Sequence, residues 1–219
     1  MHILYYLLSS YGFIALMIGL STILSKKGII GEEGSRKFIH IGVSNWYFIA
    51  LTFMQDPNDI LFTLIPPVSF IILNYISYKT NLIKSMERNG KGNLDTVYYP
   101  ISLTILVFVS FYVLGNAYIG LLGVMLMGYG DGLAAVLGKK YGTKDIGHGK
   151  TVVGVVTMFV VSLLASSLII IYSNSVTRLW IALAVAVFAT LTEYLTPKGL
   201  DNLSVPLGTS FLYYVLLLI

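Results

Sequence analysis

The sequence predicts an all-α, polytopic helical bundle built for a membrane, and three observations predict it. Hydrophobic residues make up 56% of the chain and charged residues only 11%, where an ordinary soluble domain carries about 25% charged residues. The apolar residues form long continuous runs, not the two-residue alternation of a membrane β-barrel. Mean hydropathy is +0.81. At about 20 apolar residues per crossing, seven or eight helices use nearly all of the 219 residues. Residues 1–219 therefore read as one integral-membrane domain.

Taken in order, the first run is 3–24. It lacks a basic leader and a small-residue cleavage pattern, so it reads as a retained helix, not a signal peptide. Runs follow at 38–54, 60–77, 97–114, 117–137, 152–172 and 179–195. The last, 205–219, has 15 residues. At about 1.5 Å per residue it falls short of a hydrocarbon core about 30 Å thick. The expectation is eight transmembrane helices, or seven if the last is not a full span.

Basic residues give the orientation. Lys26, Lys27, Arg36 and Lys37 precede the second run, and Lys79, Lys84, Arg88 and Lys91 lie between the third and fourth. Lys139, Lys140, Lys144 and Lys150 follow the fifth run, and Lys198 follows the seventh. If eight spans alternate, these 13 of the 14 Lys and Arg fall on one side and Arg178 alone on the other. The positive-inside rule makes the basic side cytoplasmic and puts both termini outside. Many such lysines anchor helices to headgroups. The chain has no cysteine, which excludes disulfides and thiolate catalysis.

Headgroup anchoring does not explain carboxylates inside apolar runs. Asp131 lies near the end of the fifth run and Glu193 near the end of the seventh, with Asp201 and Asn202 in the loop after it. An ionised Asp in a membrane helix costs several kcal/mol, about 2.5–3.5 on insertion scales, so such residues need partners or a metal. Arg36, Lys37 and His40 share a strip of one helix at spacings of three and four, a grouping suited to phosphate. Asp95 and Thr96 open the fourth run on the same side. Gly128, Gly130 and Gly132 around Asp131 allow close approach of a ligand or of another helix. Lys139, Lys140 and Lys150, among Gly138, Gly142, Gly147 and Gly149, offer cations and backbone amides for polyphosphate. "GHGKT" is not a P-loop: that pattern requires glycine where Lys144 stands, and the segment follows a membrane helix, not a strand.

Five stretches together resemble the polyprenol kinase family: "RKFIH" at 36–40, "YYPISL" at 98–103, "GDGLAAVLGKKYG" at 130–142, "GKTVVG" at 149–154 and "EYLTPKGLDNLSVP" at 193–206. The family includes dolichol, phytol and farnesol kinases and the CTP-dependent diacylglycerol kinase. The resemblance covers about 34–207 and implies a membrane enzyme phosphorylating a lipid alcohol, commonly with CTP and a divalent cation. The middle block is also similar to phosphatidate cytidylyltransferases. One position departs from both families: Val153 stands where a glutamate commonly precedes the glycine. That leaves Glu193 and Asp201 to compensate.

Phosphoryl transfer needs cations to spread charge, a metal bridging phosphates and a group to orient the hydroxyl. On this reading Asp131, Asp201 and Asn202 are the candidate Mg²⁺ ligands. Arg36, Lys37, Lys139, Lys140, Lys150 and Thr151, with Gly130, Gly132 and Gly149, hold the phosphates of CTP. Asp131, His40 and Glu193 are the candidate catalytic residues, the last two orienting the lipid hydroxyl. The expected partners are a lipid alcohol, a nucleoside triphosphate and membrane lipids. No nucleic acid is expected, and a homodimer stays open. A cytidylyltransferase making a CDP-lipid and a transporter using Asp131 and Glu193 as an ion path are the alternatives. Transporters place such residues near the midplane, whereas these acids gather toward one edge.

Overall fold

The computed structural model describes residues 1–53, 56–80, 94–173, 178–197 and 199–219. Among these the regular elements are helices: α1 (His2–Lys26), α2 (Glu32–Ser44), α3 (Trp46–Phe53), α4 (Ile60–Thr80) and α5 (Asp95–Val107) in the first half. The second half has α6 (Ala117–Met125), α7 (Gly132–Tyr141), α8 (Val152–Tyr172), α9 (Trp180–Leu195) and α10 (Asp201–Leu217). Two π-helical segments make longer rods: Phe108–Val113 extends α5, and Leu126–Asp131 joins α6 to α7. Only Asn45 separates α2 from α3, its N–H bonding Gly42 O at 3.0 Å in a tight turn.

Each of the eight expected runs carries helix, and among the described residues five rods are long and apolar enough to cross a membrane. These are α1, α4, α5 with its extension, α6–α7, and α8. α9 is apolar but shorter, α2–α3 is interrupted, and α10 has 17 residues. Lys84, Arg88, Lys91 and Lys198 lie outside the described residues.

The central rod is α6–α7, with 78% of its apolar window buried against 17% for α1. Small residues let neighbours close on it, as they do in membrane bundles generally. A Cβ on Gly130 would sit 2.8 Å from Met158 Sδ of α8, and one on Gly132 would meet Ile41 of α2. Trp46, Tyr6, Tyr47 and Tyr213 are the bulkiest fully buried side chains. Leu16, Ile72, Leu164, Leu168 and Phe211 point outward, a broad apolar surface that suits lipid.

Contacts sort the bundle into two ends. At one, His2 meets Asp59 at 2.8 Å, Tyr118 packs edge-on to Tyr172, and Arg178 bonds the Leu217 carbonyl. At the other, Arg36 reaches Asp95, Lys150 reaches Glu193, and Tyr194 reaches Ile146. This is the alternation that the basic loops require.

Candidate functional site

α2 begins with Glu32 and Glu33 in its first turn, where the helix dipole favours negative charge. Glu33, Arg36, Lys37 and His40 then fall on one face by their three- and four-residue spacing. That face meets the π-helical turn and α7. Lys37 forms an ion pair with Asp131, each side chain only 5% exposed, and His40 Nε2 stands 3.4 Å from the same carboxylate. The ring also lies 3.3 Å from Met127 O. Arg36 is held between Asp95 at 2.7 Å and Glu33 at 2.5 Å. Asp131 thus has a cationic neighbour in the fold itself. Each α2 cation is matched to an acid instead of standing free for phosphate.

The loop from Gly142 to Lys150 delivers a second pair. His148 takes φ 56 between Gly147 at 98 and Gly149 at 67, three consecutive left-handed residues that reverse the chain. Glycine adopts this conformation cheaply, which explains a "GHG" turn. Tyr194 pins the turn to α9 by donating to Ile146 O at 2.8 Å and by packing edge-on against His148. Lys150 is thereby turned inward to pair with Glu193, with Asp201 at 3.9 Å. Burial opposes its charge, but Glu193 and the more distant Asp131 and Asp201 outweigh burial and raise the Lys150 ammonium above the usual lysine value. Thr151 caps α8, accepting from Gly154 N at 3.2 Å. Glu193 therefore supplies the partner that Val153 cannot.

These groups line one cavity of about 580 Å³ at the basic end of the bundle. Of the candidate site residues, Arg36, Lys37, Asp131, Lys139, Gly149, Lys150, Thr151, Glu193, Asp201 and Asn202 all reach it. Others do not. Lys140 projects outward over the Tyr141 ring at 5.1 Å. Gly130 and Gly132 are helix-packing positions and do not make room for a ligand, because their missing side chains are filled by Met158 and Ile41. His40 lines a separate, smaller cavity next to the first. Asp95 lines both cavities and anchors Arg36, while its carbonyl accepts from Asn202 Nδ2 at 2.9 Å. The sequence pattern alone assigns it no role. Its position opening a run, on the side of Arg36, was the available signal.

The charge of the lining decides what the cavity accepts. Among the described residues, Arg36, Lys37, Lys139 and Lys150 face the carboxylates of Glu33, Asp95, Asp131, Glu193 and Asp201. A polyphosphate brings several further negative charges, so this lining favours it only when an added cation comes too. Among the described residues, Glu193 Oε2 and Asn202 Oδ1 are buried with no hydrogen-bond partner, oxygens of the kind that a hard cation takes. Among the described residues no three of His, Cys, Asp or Glu converge as a preformed metal cluster. Mg²⁺ does not require one, since it commonly uses one or two carboxylates plus phosphate oxygens and water.

No family model matches the chain, and no solved structure matches it. Among curated proteins it is similar to "Phytol kinase" of Synechocystis sp. (strain ATCC 27184 / PCC 6803 / Kazusa), 29% identical over 195 residues, covering 87% of this chain and 82% of the relative. It is 28% identical to "Probable phytol kinase 1, chloroplastic" of Oryza sativa subsp. japonica, covering 88% of this chain and 67% of the relative. It is 27% identical to "Phytol kinase 1, chloroplastic" of Arabidopsis thaliana, covering 88% and 69%. Over most of its length the chain is thus a homologue of proteins named phytol kinase, consistent with the polyprenol kinase family that its motifs resemble.

Proposed function

We propose that this protein is a membrane-embedded kinase that transfers the γ-phosphate of CTP to the hydroxyl of a prenol-type lipid alcohol at the cytoplasmic face. The lipid oxygen forms the new bond to phosphorus, the bond to the β-phosphate oxygen breaks, and CDP and a proton leave. The observation that carries this reading is the buried, nearly balanced charge cavity at the basic end of an otherwise apolar bundle. Nucleotide arrives there from water, while a lipid hydroxyl sits in the adjoining headgroup layer.

Lys37 and Lys150 are already desolvated and held by carboxylates, so their positions cost little to organise when phosphate arrives. Lys139, which is exposed, and Arg36, which is buried in the lining, extend the cation set along a triphosphate. Asp131, Asp201 and Asn202 would hold the Mg²⁺, which when bound supplies the positive charge that the lining lacks. His40 and Glu193 are the groups available to orient the hydroxyl.

The test incubates purified protein in vesicles with labelled CTP, ATP, GTP or UTP and with prenols of several lengths or diacylglycerol. The expected products are a phosphorylated prenol and CDP, formed only with a divalent cation. Release of pyrophosphate with a CDP-lipid would replace the kinase by a cytidylyltransferase. Product from diacylglycerol alone would change the acceptor class.

A further inference from the structure

The larger cavity explains where a nucleotide would sit but not how a membrane-dissolved alcohol reaches it. A second cavity, of about 100 Å³, adjoins the first. Its walls are apolar side chains from four helices, among them Ile14 of α1, Val43 of α2, Phe70 and Leu73 of α4 and Leu103 of α5. Leu73, one of the lining residues, is also 47% exposed on the outer, lipid-suited surface.

The inner end is different. Arg36, Asp95 and Asn202 line both cavities and form the seam between them. Among the described residues, three buried polar atoms of groove-lining residues have no hydrogen-bond partner: Arg36 Nε, Asn202 Oδ1 and Thr96 Oγ1. Leaving one such atom unpaired costs about 1–3 kcal/mol, and native proteins rarely tolerate several together. With Asn202 Oδ1 left to the cation, Arg36 Nε is a donor and the Thr96 hydroxyl both donates and accepts. A single alcohol hydroxyl, which also donates once and accepts, complements that set.

We infer that this groove between α1, α2, α4 and α5 receives the hydroxyl end of the lipid alcohol from the bilayer. Its hydroxyl donates to Thr96 Oγ1 and accepts from Arg36 Nε, at the seam beside the phosphate cavity, which leaves Asn202 Oδ1 to the cation. The inference rests on the kinase reading of the larger cavity. A water-sized volume is about 30 Å³, so the groove holds the hydroxyl and the first few carbons, and the rest of the chain stays in lipid. Of the two groups available to orient the hydroxyl, His40 lines this groove and Glu193 does not. The geometry therefore puts His40 on the alcohol side and Glu193 on the nucleotide side.

Two measurements test this on the whole protein in phosphatidylcholine vesicles. The first is kinetic, with Thr96→Val, which removes the hydroxyl and keeps the shape, and Leu73→Trp, which obstructs the groove mouth from a half-exposed position. Thr96→Val should raise KM for the prenol roughly three- to tenfold, the worth of one hydrogen bond, with KM for CTP unchanged. Leu73→Trp should raise the prenol KM more for branched than for unbranched alcohols. The second is photolabelling of the unsubstituted protein by a prenol bearing a diazirine near its hydroxyl, which should mark peptides of α2, α4 and α5. Labelling confined to α8 and α9 overturns the groove. Labelling in the groove with an unchanged prenol KM in Thr96→Val overturns the hydroxyl assignment. If the unsubstituted protein phosphorylates no lipid alcohol, the kinase reading falls, and the labelled peptides alone then uphold or overturn the groove.

Discussion

The two ends of the bundle use the same chemistry to different effect. At one end His2 and Asp59 pair at 2.8 Å, with the histidine side chain 56% exposed. At the other, His40 approaches Asp131 at 3.4 Å with both side chains under a tenth exposed, and Lys37 completes the group. The first pair can be satisfied by water and is worth little. The second cannot, so its members depend on one another and on whatever enters beside them. Residue type alone does not make a site. Convergence and desolvation do.

The sharpest break in the comparison is sidedness, an all-or-none result. Because the chain lacks cysteine, single cysteines can be placed at 28, 57 and 146 and labelled from either face. Positions 28 and 146 should label only from the cytoplasm and 57 only from outside. Labelling of 57 and 146 from one face would collapse the distinction between the ends.

Next in size is Asp131→Asn. Removing the charge while keeping the shape should cut phosphoryl transfer at least a hundredfold, the order seen when one preorganised electrostatic group is lost. It should also cost about 3–5 kcal/mol of stability, because Lys37 is left buried and uncompensated. The double change Lys37→Met with Asp131→Leu separates the two effects. Replacing both charges by apolar groups should recover much of the melting temperature and none of the activity. Recovered activity would reduce the pair to a structural one.

Lys150→Ala should be milder. A lysine that meets phosphate in ground and transition states alike raises KM for the nucleotide, here about tenfold, more than it lowers kcat. An unchanged nucleotide KM would remove Lys150 from the phosphate set. The smallest effect is expected at the far end: His2→Ala should shift stability by no more than about 0.5 kcal/mol and leave transfer unchanged. A larger loss there would mean that the two ends are coupled.

The helices were legible because apolar runs of membrane length have few other readings, and their predicted edges at 60, 117, 152 and 195 coincide with those of α4, α6, α8 and α9. The polar residues that matter were legible for a similar reason: acids such as Asp131 and Glu193 are conspicuous in an apolar run. Their pairing was not. Whether Lys37 meets Asp131 or a ligand depends on the rotation of α2 about its axis relative to α7, which no local pattern encodes. The same ambiguity misassigned Gly130 and Gly132, since the absence of a side chain does not say whether a ligand or Met158 fills the space. Asp95 was seen but unused, because its value lies in standing where two cavities touch.

The wide π-helical turn Leu126–Asp131 sets the angular phase of everything after it. In an α-helix each residue advances the chain by about 100° around the axis, so deleting one residue from this turn would rotate Asp131 off α2 and break its pairing with Lys37. Such a deletion should be more damaging than most substitutions within the same turn. It also suggests a history. A membrane helix that acquires one extra residue can re-aim a single carboxylate into its neighbour without redesigning either flank, which makes insertion, rather than substitution, an economical route to a charged centre inside a greasy bundle.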